Sequence, residues 1–503
     1  MKVLLINPQY KQNINKRCER YYIRSGSRWP HSSIKIKGTL PHYLPFPFSL
    51  AYSASLLKES FFDVYVIDAI ALDISENELI GKINDIKPDL VFYEITTPTV
   101  EHDLLLAKMI KEICSLTIAI GGTHASVFAS EILLKNEAVD FVLRGEFEES
   151  LLKLATSLNE KKNDFPLGVV FRDRGLIIDK GFSNPIEHLD ALPFPLRDIF
   201  PSNEKPNPLV YWDGFCQHRP LVQMQSSRGC HYSCYFCLWN QVMYNDGKYR
   251  AFSPNRVVDE IQDSITRYGV KEVYFDDDNF TVDKKHALSI CEEILRRNLK
   301  IKWSCMGDVI NLTEEMLGIM GKSGCIGIKF GLESGSEKIL KTIDKPIDIK
   351  KAKEIIKLCK KYGIKTQATF TLGLLGETID DVKKTFRFAN SLDIDCAQVS
   401  IATPFPGTEF FGIVEKQGLL KNIDWKRYDG KSTEITGFSH SERKEVEKLK
   451  KNFLVKWFSR KLLSPLWCMG HIRIMLRTLK GLKSSFLLKQ IFAVIIDDSG
   501  NRE

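Results

Sequence analysis

The sequence predicts an α/β protein built from two parallel-sheet units: a Rossmann-like sheet, then a partial (β/α)6 TIM barrel, with an α-helical C-terminal tail. Three observations predict it. Short β-rich apolar runs alternate with helical patterns over the first 160 residues, a second alternating series starts near Leu221, and prolines crowd the stretch between them from Pro185 to Pro208. Alternation of this kind marks a parallel sheet covered by helices on both faces. Closely spaced prolines exclude long helices and suit a linker. A chain of 503 residues is long enough for two or three such units.

In the first unit, residues 3–6, 64–68, 90–95, 118–120 and 141–143 read as strands, and 47–57, 76–86, 101–113 and 126–134 carry helical periodicity between them. A hairpin-like pair follows at 169–172 and 176–179, turning at Arg174-Gly175. Barrel strands are expected at 222–226, 272–276, 300–304, 327–332, 366–372 and 397–402, with helices such as 257–267, 286–297 and 349–362. The chain thus divides into 1–160, a hairpin and Pro-rich linker at 161–214, the barrel at 215–440, and the tail at 441–503. Six strands are fewer than a full barrel has, yet chemistry should still collect at the strands' C-terminal ends.

Composition narrows the classes. A hydrophobic fraction of 44% with 27% charged residues is that of a folded protein. No run of about 18 apolar residues predicts a membrane-spanning helix. The N-terminal Met1-Lys2-Val3-Leu4-Leu5-Ile6 is too short for a secretion signal and reads as a buried strand. The expected location is therefore a reducing cytoplasm, where clustered thiols bind metal or do chemistry rather than pair. Of twelve cysteines most are scattered singly; Cys114, Cys291, Cys325, Cys359 and Cys396 read as small buried hydrophobes. The net charge of +8 is concentrated in the tail, since residues 448–489 hold eleven Lys or Arg and no Asp or Glu.

One group of cysteines has ligand spacing. Cys230, Cys234 and Cys237 stand in a CxxxCxxC pattern on a loop after the first barrel strand. Three ligands are one short of a saturated four-cysteine site, and a centre with an open position can bind substrate or cofactor. A zinc site completed by His231 or a distant residue is the other reading of these residues. Asp276, Asp277 and Asp278 follow the second strand, Glu333 and Ser334 the fourth, and Gly373 to Glu377 the fifth.

The cysteine loop, with Phe236 just before its third cysteine, resembles the cluster motif of the radical S-adenosylmethionine (SAM) superfamily. The resemblance implies a [4Fe–4S] cluster on Cys230, Cys234 and Cys237 whose open iron chelates SAM. An external one-electron donor of flavodoxin or ferredoxin type would then drive cleavage to a 5′-deoxyadenosyl radical that abstracts hydrogen from an unactivated carbon. It further implies SAM contacts from Phe236, Asp277 or Asp278, Gly331, Glu333 and Ser334, Gly373, Gly376 and Glu377, and Thr403. The aspartates depart from the Gly-Gly-Glu of many members, and a solvated acidic loop or a divalent-metal site stays open for them.

The sheet ahead of such a core resembles the vitamin B12-binding domain of the cobalamin-dependent branch. Asn7-Pro8, Gly121-Gly122, His124 and Gly145-Glu146 stand at strand ends where that resemblance puts cobalamin. The Asp-x-His-x-x-Gly motif that gives cobalt a histidine is absent, so His124 reads as a helix-capping or nucleotide-tail residue rather than a ligand. A domain that binds nothing is the remaining alternative.

The run from Cys237 through Tyr244, with Tyr249-Arg250 and Ser253-Pro254, looks closest to a subgroup that includes hopanoid-associated proteins. That implies a small-molecule, hydrophobic or lipid-like substrate, with methyl transfer as the reaction and ring contraction or cyclisation as its alternative. A non-catalytic cobalamin or iron–sulfur sensor is the reading of another class. In the tail, Leu449, Phe453 and Trp457, then Ile472, Met475, Leu476 and Leu479, recur at helical spacing among basic residues. Such a helix suits peripheral contact with the inner face of a membrane or a cap packed on the barrel. No nucleic-acid reader motif accompanies the charge, and no nucleic-acid partner is expected.

Overall fold

The computed structural model describes residues 1–245, 247–420, 424–431 and 438–462. β1 (Lys2–Asn7) opens the first unit and is followed by an antiparallel meander of β2 (Lys11–Asn13), β3 (Cys18–Ile23) and β4 (His31–Ile36). Then come β5 (Asp63–Asp68), β6 (Leu90–Glu94), β7 (Thr117–Gly121), β8 (Phe141–Leu143), β9 (Val169–Asp173) and β10 (Leu176–Asp179). Seven of these form one sheet in the order β10-β9-β8-β7-β6-β1-β5, parallel from β8 to β5. The strand order therefore reverses between β1 and β6. In open α/β sheets a ligand crevice lies at that reversal, outside the strands' C-terminal ends.

Burial on both faces explains the near-continuous apolar runs. Leu4, Ile6, Val91, Tyr93, Ile118 and Ile120 pack on one face, and Val3, Leu5, Leu90, Phe92 and Ala119 on the other. Each fully buried Leu or Ile side chain contributes about 1.5–3 kcal/mol. The hairpin expected at 169–179 forms and joins the first sheet: β9 pairs antiparallel with β8 and extends it, with Phe171 packed against Phe141 and Phe165. The strand ladder of β8 would otherwise end unpaired.

The second unit comprises β11 (Leu221–Met224), β12 (Ser227–Arg228), β13 (Arg250–Ala251), β14 (Glu272–Phe275), β15 (Lys302–Gly307), β16 (Cys325–Glu333), β17 (Lys365–Leu372) and β18 (Cys396–Ile401). Six of them make the partial barrel, all parallel, in the order β11-β14-β15-β16-β17-β18. Its helices are locally specified. In Pro254–Tyr268 the Ser253 hydroxyl accepts from the Arg256 amide, proline opens the first turn, and Gly269 closes the helix at φ 62°. Phe215, Cys216, Leu221 and Tyr274 plug the end of the barrel away from the cysteine loop.

The meander was not foreseen. It reaches from the first unit across to the barrel, with Arg28 paired to Asp276 at 2.8 Å and the Ser32 hydroxyl donating to Asp429 at 2.9 Å. The helix His440–Leu462 carries the first half of the basic tail. Val446, Phe453 and Trp457 are buried, and Phe453 stacks on Phe386 at 4.7 Å. These apolar groups face the barrel, so the cap reading holds for this stretch and the membrane reading does not. The rest of the pattern, Ile472 to Leu479, lies outside the described residues. Among the described residues no helix is long and apolar enough to cross a membrane. Cys291, Cys325 and Cys359 are buried, whereas Cys114 and Cys396 are only partly so.

Candidate active site

The cysteine loop leaves the short ladder of β12 and β13 at Gly229, whose φ of 85° favours glycine. A turn follows, closed by the Cys237 amide on the Cys234 carbonyl at 2.9 Å. Neighbouring strand ends hold the loop from several sides. Gln241 donates to the Cys234 carbonyl at 3.1 Å and accepts from the Glu409 amide at 2.7 Å. The Tyr235 hydroxyl accepts from the Leu375 amide at 2.9 Å, and its carbonyl accepts from Phe410 at 3.0 Å. Burial pushes the thiols up, Cys234 to about 11 and Cys237 to about 12. Metal loading must therefore displace their protons.

The His231 ring lies edge-on to Tyr249 at 4.9 Å. A cubane cluster takes one thiolate on each of three irons, so its three thiols need not meet at one point.

The structure redistributes the aspartates' roles. Asp277 is fully buried and accepts from the amide and hydroxyl of Ser226, at 2.6 and 2.5 Å, and from those of Ser227. Asp278 accepts from the Gly229 amide at 2.9 Å and pairs with Arg28 at 3.7 Å. Both brace the loop that carries the cysteines; both oxygens of Asp277 are taken, whereas Asp278 stays partly exposed with one oxygen hydrogen-bonded. Ser334 is likewise turned inward, with its hydroxyl on Thr385 at 3.1 Å and on the Ser336 amide.

Glu333 is differently placed. It sits at a register shift in β16 with φ 58°, a conformation costly for a non-glycine residue. Its carboxylate takes Lys345 at 2.8 Å and the Thr371 hydroxyl at 2.7 Å. A Cβ on Gly331 would stand 2.6 Å from the Glu333 carboxylate and 2.8 Å from the Lys345 ammonium, so a side chain there would have to displace that ion pair. Lys345, whose charge acts on Cys234 and Cys230, was missed in the sequence because it follows a short helix and belongs to no motif. Asn279 reaches to 4.0 Å from the Cys230 sulfur while bonding Asp308 at 2.7 Å.

Gly373 and Gly376 take positive φ in the loop after β17, and the Gly373 amide donates to Glu377 at 2.5 Å. The Thr403 hydroxyl is turned back onto the Ile401 carbonyl at 3.3 Å. Burial raises the Glu377 carboxyl from 4.5 to about 8. A folded-state value above the unfolded one favours folding below about pH 4.5, and that contribution is lost as pH rises to about 8. Glu377→Gln should therefore raise the melting temperature of the cofactor-free chain at pH 9 and leave it nearly unchanged at pH 4.5. An equal rise at both values would show that Glu377 stays charged.

Phe236 is buried, and its ring lies 6.0 Å from that of Trp29, which the meander brings over the loop and which stays 38% exposed. Trp29 is also 6.2 Å from Phe405. These three rings form an apolar rim. Below it, alternate residues of β16 to β18 point into the barrel: Lys329, Gln367, Thr369 and Ser400 are partly exposed and Gln398 is exposed, while Ile328, Phe330, Thr366, Ala368, Phe370, Val399 and Ile401 beside them are buried. The lumen is polar.

At the first sheet's crevice, Asn7-Pro8 end β1, and Gly121-Gly122 end β7. Gly122 has φ 97°, and a Cβ there would strike the Ile95 carbonyl at 2.6 Å. Asn7, Gln9, Ser25, Glu94 and Thr123 all hold buried polar atoms without a hydrogen-bond partner. Such a concentration of unpaired groups at a strand-order reversal fits a large polar ligand. His124 is buried, bonded to Thr97 at 3.2 Å and packed against Phe128 and Trp425, and burial lowers it to about 3. It is a neutral packing residue. Gly145 and Glu146 are engaged by protein groups: a Cβ on Gly145 would meet Ser183 at 2.8 Å, and the Glu146 carboxylate is taken by Arg228 and Arg250.

A three-thiol loop at the mouth of a partial barrel, facing an open sheet, defines a radical SAM core with a cobalamin domain. The comparisons agree. Residues 224–389 match the radical SAM superfamily, and residues 38–155 match the B12 binding domain. An uncharacterized methyltransferase of Pyrococcus horikoshii is 30% identical over 440 residues, covering 87% of this chain and 93% of the relative. The anaerobic magnesium-protoporphyrin IX monomethyl ester cyclase of Rubrivivax gelatinosus is 27% identical over 398 residues, covering 76% and 68%. The TsrM methyltransferase of Kitasatospora setae, solved with cobalamin and a [4Fe–4S] cluster, shares the fold with a TM-score of 0.65 at 18% identity, covering 84% of this chain and 79% of its own. The chain belongs to the radical SAM superfamily, in the branch with a B12-binding domain. It is an enzyme of that family, with a [4Fe–4S] cluster, SAM and cobalamin as cofactors.

Proposed function

We propose that this enzyme transfers a methyl group to an unactivated carbon of a small molecule. When bound, the cluster supplies reductive SAM cleavage and cobalamin supplies a methyl carrier. The observation that carries the reading is the meander: one segment of the first unit spans from the sheet's crevice to the cysteine loop, where Trp29 meets Phe236. One segment thus ties the sheet that would hold the carrier to the loop that would hold the radical source. The P. horikoshii relative's name favours methyl transfer as well.

The residues divide the work. Cys230, Cys234 and Cys237 hold the cluster; Glu333, Lys345 and Gly331 shape the space beside it; Gly373 and Gly376 give the adenine side a close backbone. The hydrophobic substrate keeps the aromatic rim as support, but the described tail gives a lipid no surface. A wholly apolar ligand would also desolvate Ser400 and the Gln367–Gln398 pair, which has polar atoms to spare. We therefore give the substrate an apolar part at the rim and a hydrogen-bonding part in the lumen. Its electron donor would be of flavodoxin or ferredoxin type, in the cytoplasm.

Incubating anaerobically reconstituted enzyme with SAM and reductant should yield 5′-deoxyadenosine. S-adenosylhomocysteine should form beside it in proportion to bound cobalamin, and accumulate once a methyl acceptor is supplied. 5′-Deoxyadenosine with no S-adenosylhomocysteine from cobalamin-loaded protein would sink methyl transfer and favour ring formation or rearrangement, as the R. gelatinosus cyclase's name suggests for its own reaction.

A further inference from the structure

The Arg144-Gly145-Glu146 run resembles a cobalamin motif, yet its glutamate does something else. β12 and β13 bracket the cysteine loop as a two-residue antiparallel ladder in which Arg228 stands opposite Arg250. Both guanidiniums reach the same carboxylate of the first unit. Arg228 donates to Glu146 at 2.9 Å, and Arg250 donates to its two oxygens at 2.7 and 3.1 Å. The Ile186 amide adds a third donor at 2.7 Å, and Glu148 takes the far side of Arg228 at 2.8 Å. The side chains of Glu146, Arg228 and Glu148 are at most 3% exposed. Arg228 is two residues from Cys230.

We propose that Glu146 is a positioning residue for the cluster, pinning both ends of the cysteine loop to the cobalamin domain, and not a contact to the corrin. Bidentate guanidinium–carboxylate pairs fix direction as well as distance. A buried carboxylate that holds Arg250 by its fork and Arg228 by a single bond leaves the ladder one orientation. The carboxylate is filled by three donors and offers cobalamin nothing. The inference rests on the site's holding a cluster, as the family requires.

The test compares full-length wild type with Glu146→Gln, each reconstituted anaerobically with iron and sulfide. Two readouts separate the roles: the electron paramagnetic resonance spectrum of the reduced cluster with and without SAM, and hydroxocobalamin affinity by absorbance titration. Glu146→Gln should alter the spectrum or its response to SAM and slow 5′-deoxyadenosine formation by about 10–100-fold, the range for groups that orient metal ligands. Cobalamin affinity should stay within about twofold. Arg250→Lys keeps the charge but loses the fork; it should show the same spectral change more weakly, and it carries the test if Glu146→Gln does not fold. A cobalamin affinity lowered about tenfold with an unchanged spectrum would overturn the proposal. Loss of both properties together, or of neither, would overturn it too. A wild-type chain that takes up no iron would instead sink the functional reading on which this rests.

Discussion

Cys234→Ala protein will fold, yet after anaerobic reconstitution it will hold little iron and release 5′-deoxyadenosine only at background. The side chain is small and nearly buried, so its removal opens little volume. Its carbonyl stays pinned by Gln241 and the Cys237 amide, and the next residue, Tyr235, by Leu375 and Phe410, so the loop keeps its course. What disappears is one of three iron ligands. Changes to groups that merely orient ligands cost about 10–100-fold, and deleting a ligand should exceed about a hundredfold. Iron content and product release, measured on one preparation, check the result. Cys359→Ala is the control: that thiol is buried in the barrel core and should keep both properties. Equal losses in the two variants would mean that fold damage, not ligand loss, is being read.

The second large effect concerns stability. Arg24 and Asp103 form an ion pair at 2.5 Å with both side chains 0% exposed. Burial alone would raise the Asp103 carboxyl; Arg24, His102 and the Thr99 hydroxyl overcome it and hold the group below its ordinary value of 3.8. Arg24→Met strands that carboxylate and should cost about 3–5 kcal/mol. Adding Asp103→Leu should recover most of the loss, because an apolar pair of similar volume needs no solvation. Urea midpoints at constant slope measure both. A depressed folded value contributes stability above about pH 3.8 that is lost as pH falls through the folded value. Wild type should therefore lose more than the double variant between pH 5 and pH 2. A double variant no more stable than Arg24→Met would show that the pair serves more than mutual neutralisation.

Much of the architecture was legible because it is written in local pattern. Strand–helix alternation announced both sheets, and three thiols at CxxxCxxC spacing announced the centre. Motifs placed residues at the right strand ends but could not orient them. Asp277 and Ser334 stand where expected and face the wrong way for a ligand, because a side chain's direction at a strand end depends on the loop it must brace. The ion pairs of Glu146 were hidden for the same reason: its partners, Arg228 and Arg250, lie 82 and 104 residues away. The meander was invisible to periodicity. Tyr21, Tyr22 and Ile23 are buried in succession because both faces of that strand end are covered, which defeats an alternation rule. Arg28 and Trp29 acquire meaning only when the chain, some two hundred residues later, supplies Asp276 and Phe236.

That meander has a consequence for how such enzymes are recombined. Part of the barrel's mouth is furnished from the first forty residues, through Arg28 on Asp276 and Trp29 beside Phe236. A barrel grafted beneath a foreign cobalamin domain would lose that wall and inherit another. Chimeras built by cutting in the proline-rich connection should thus carry the substrate range of their N-terminal parent in part. The portable unit is the pair of domains.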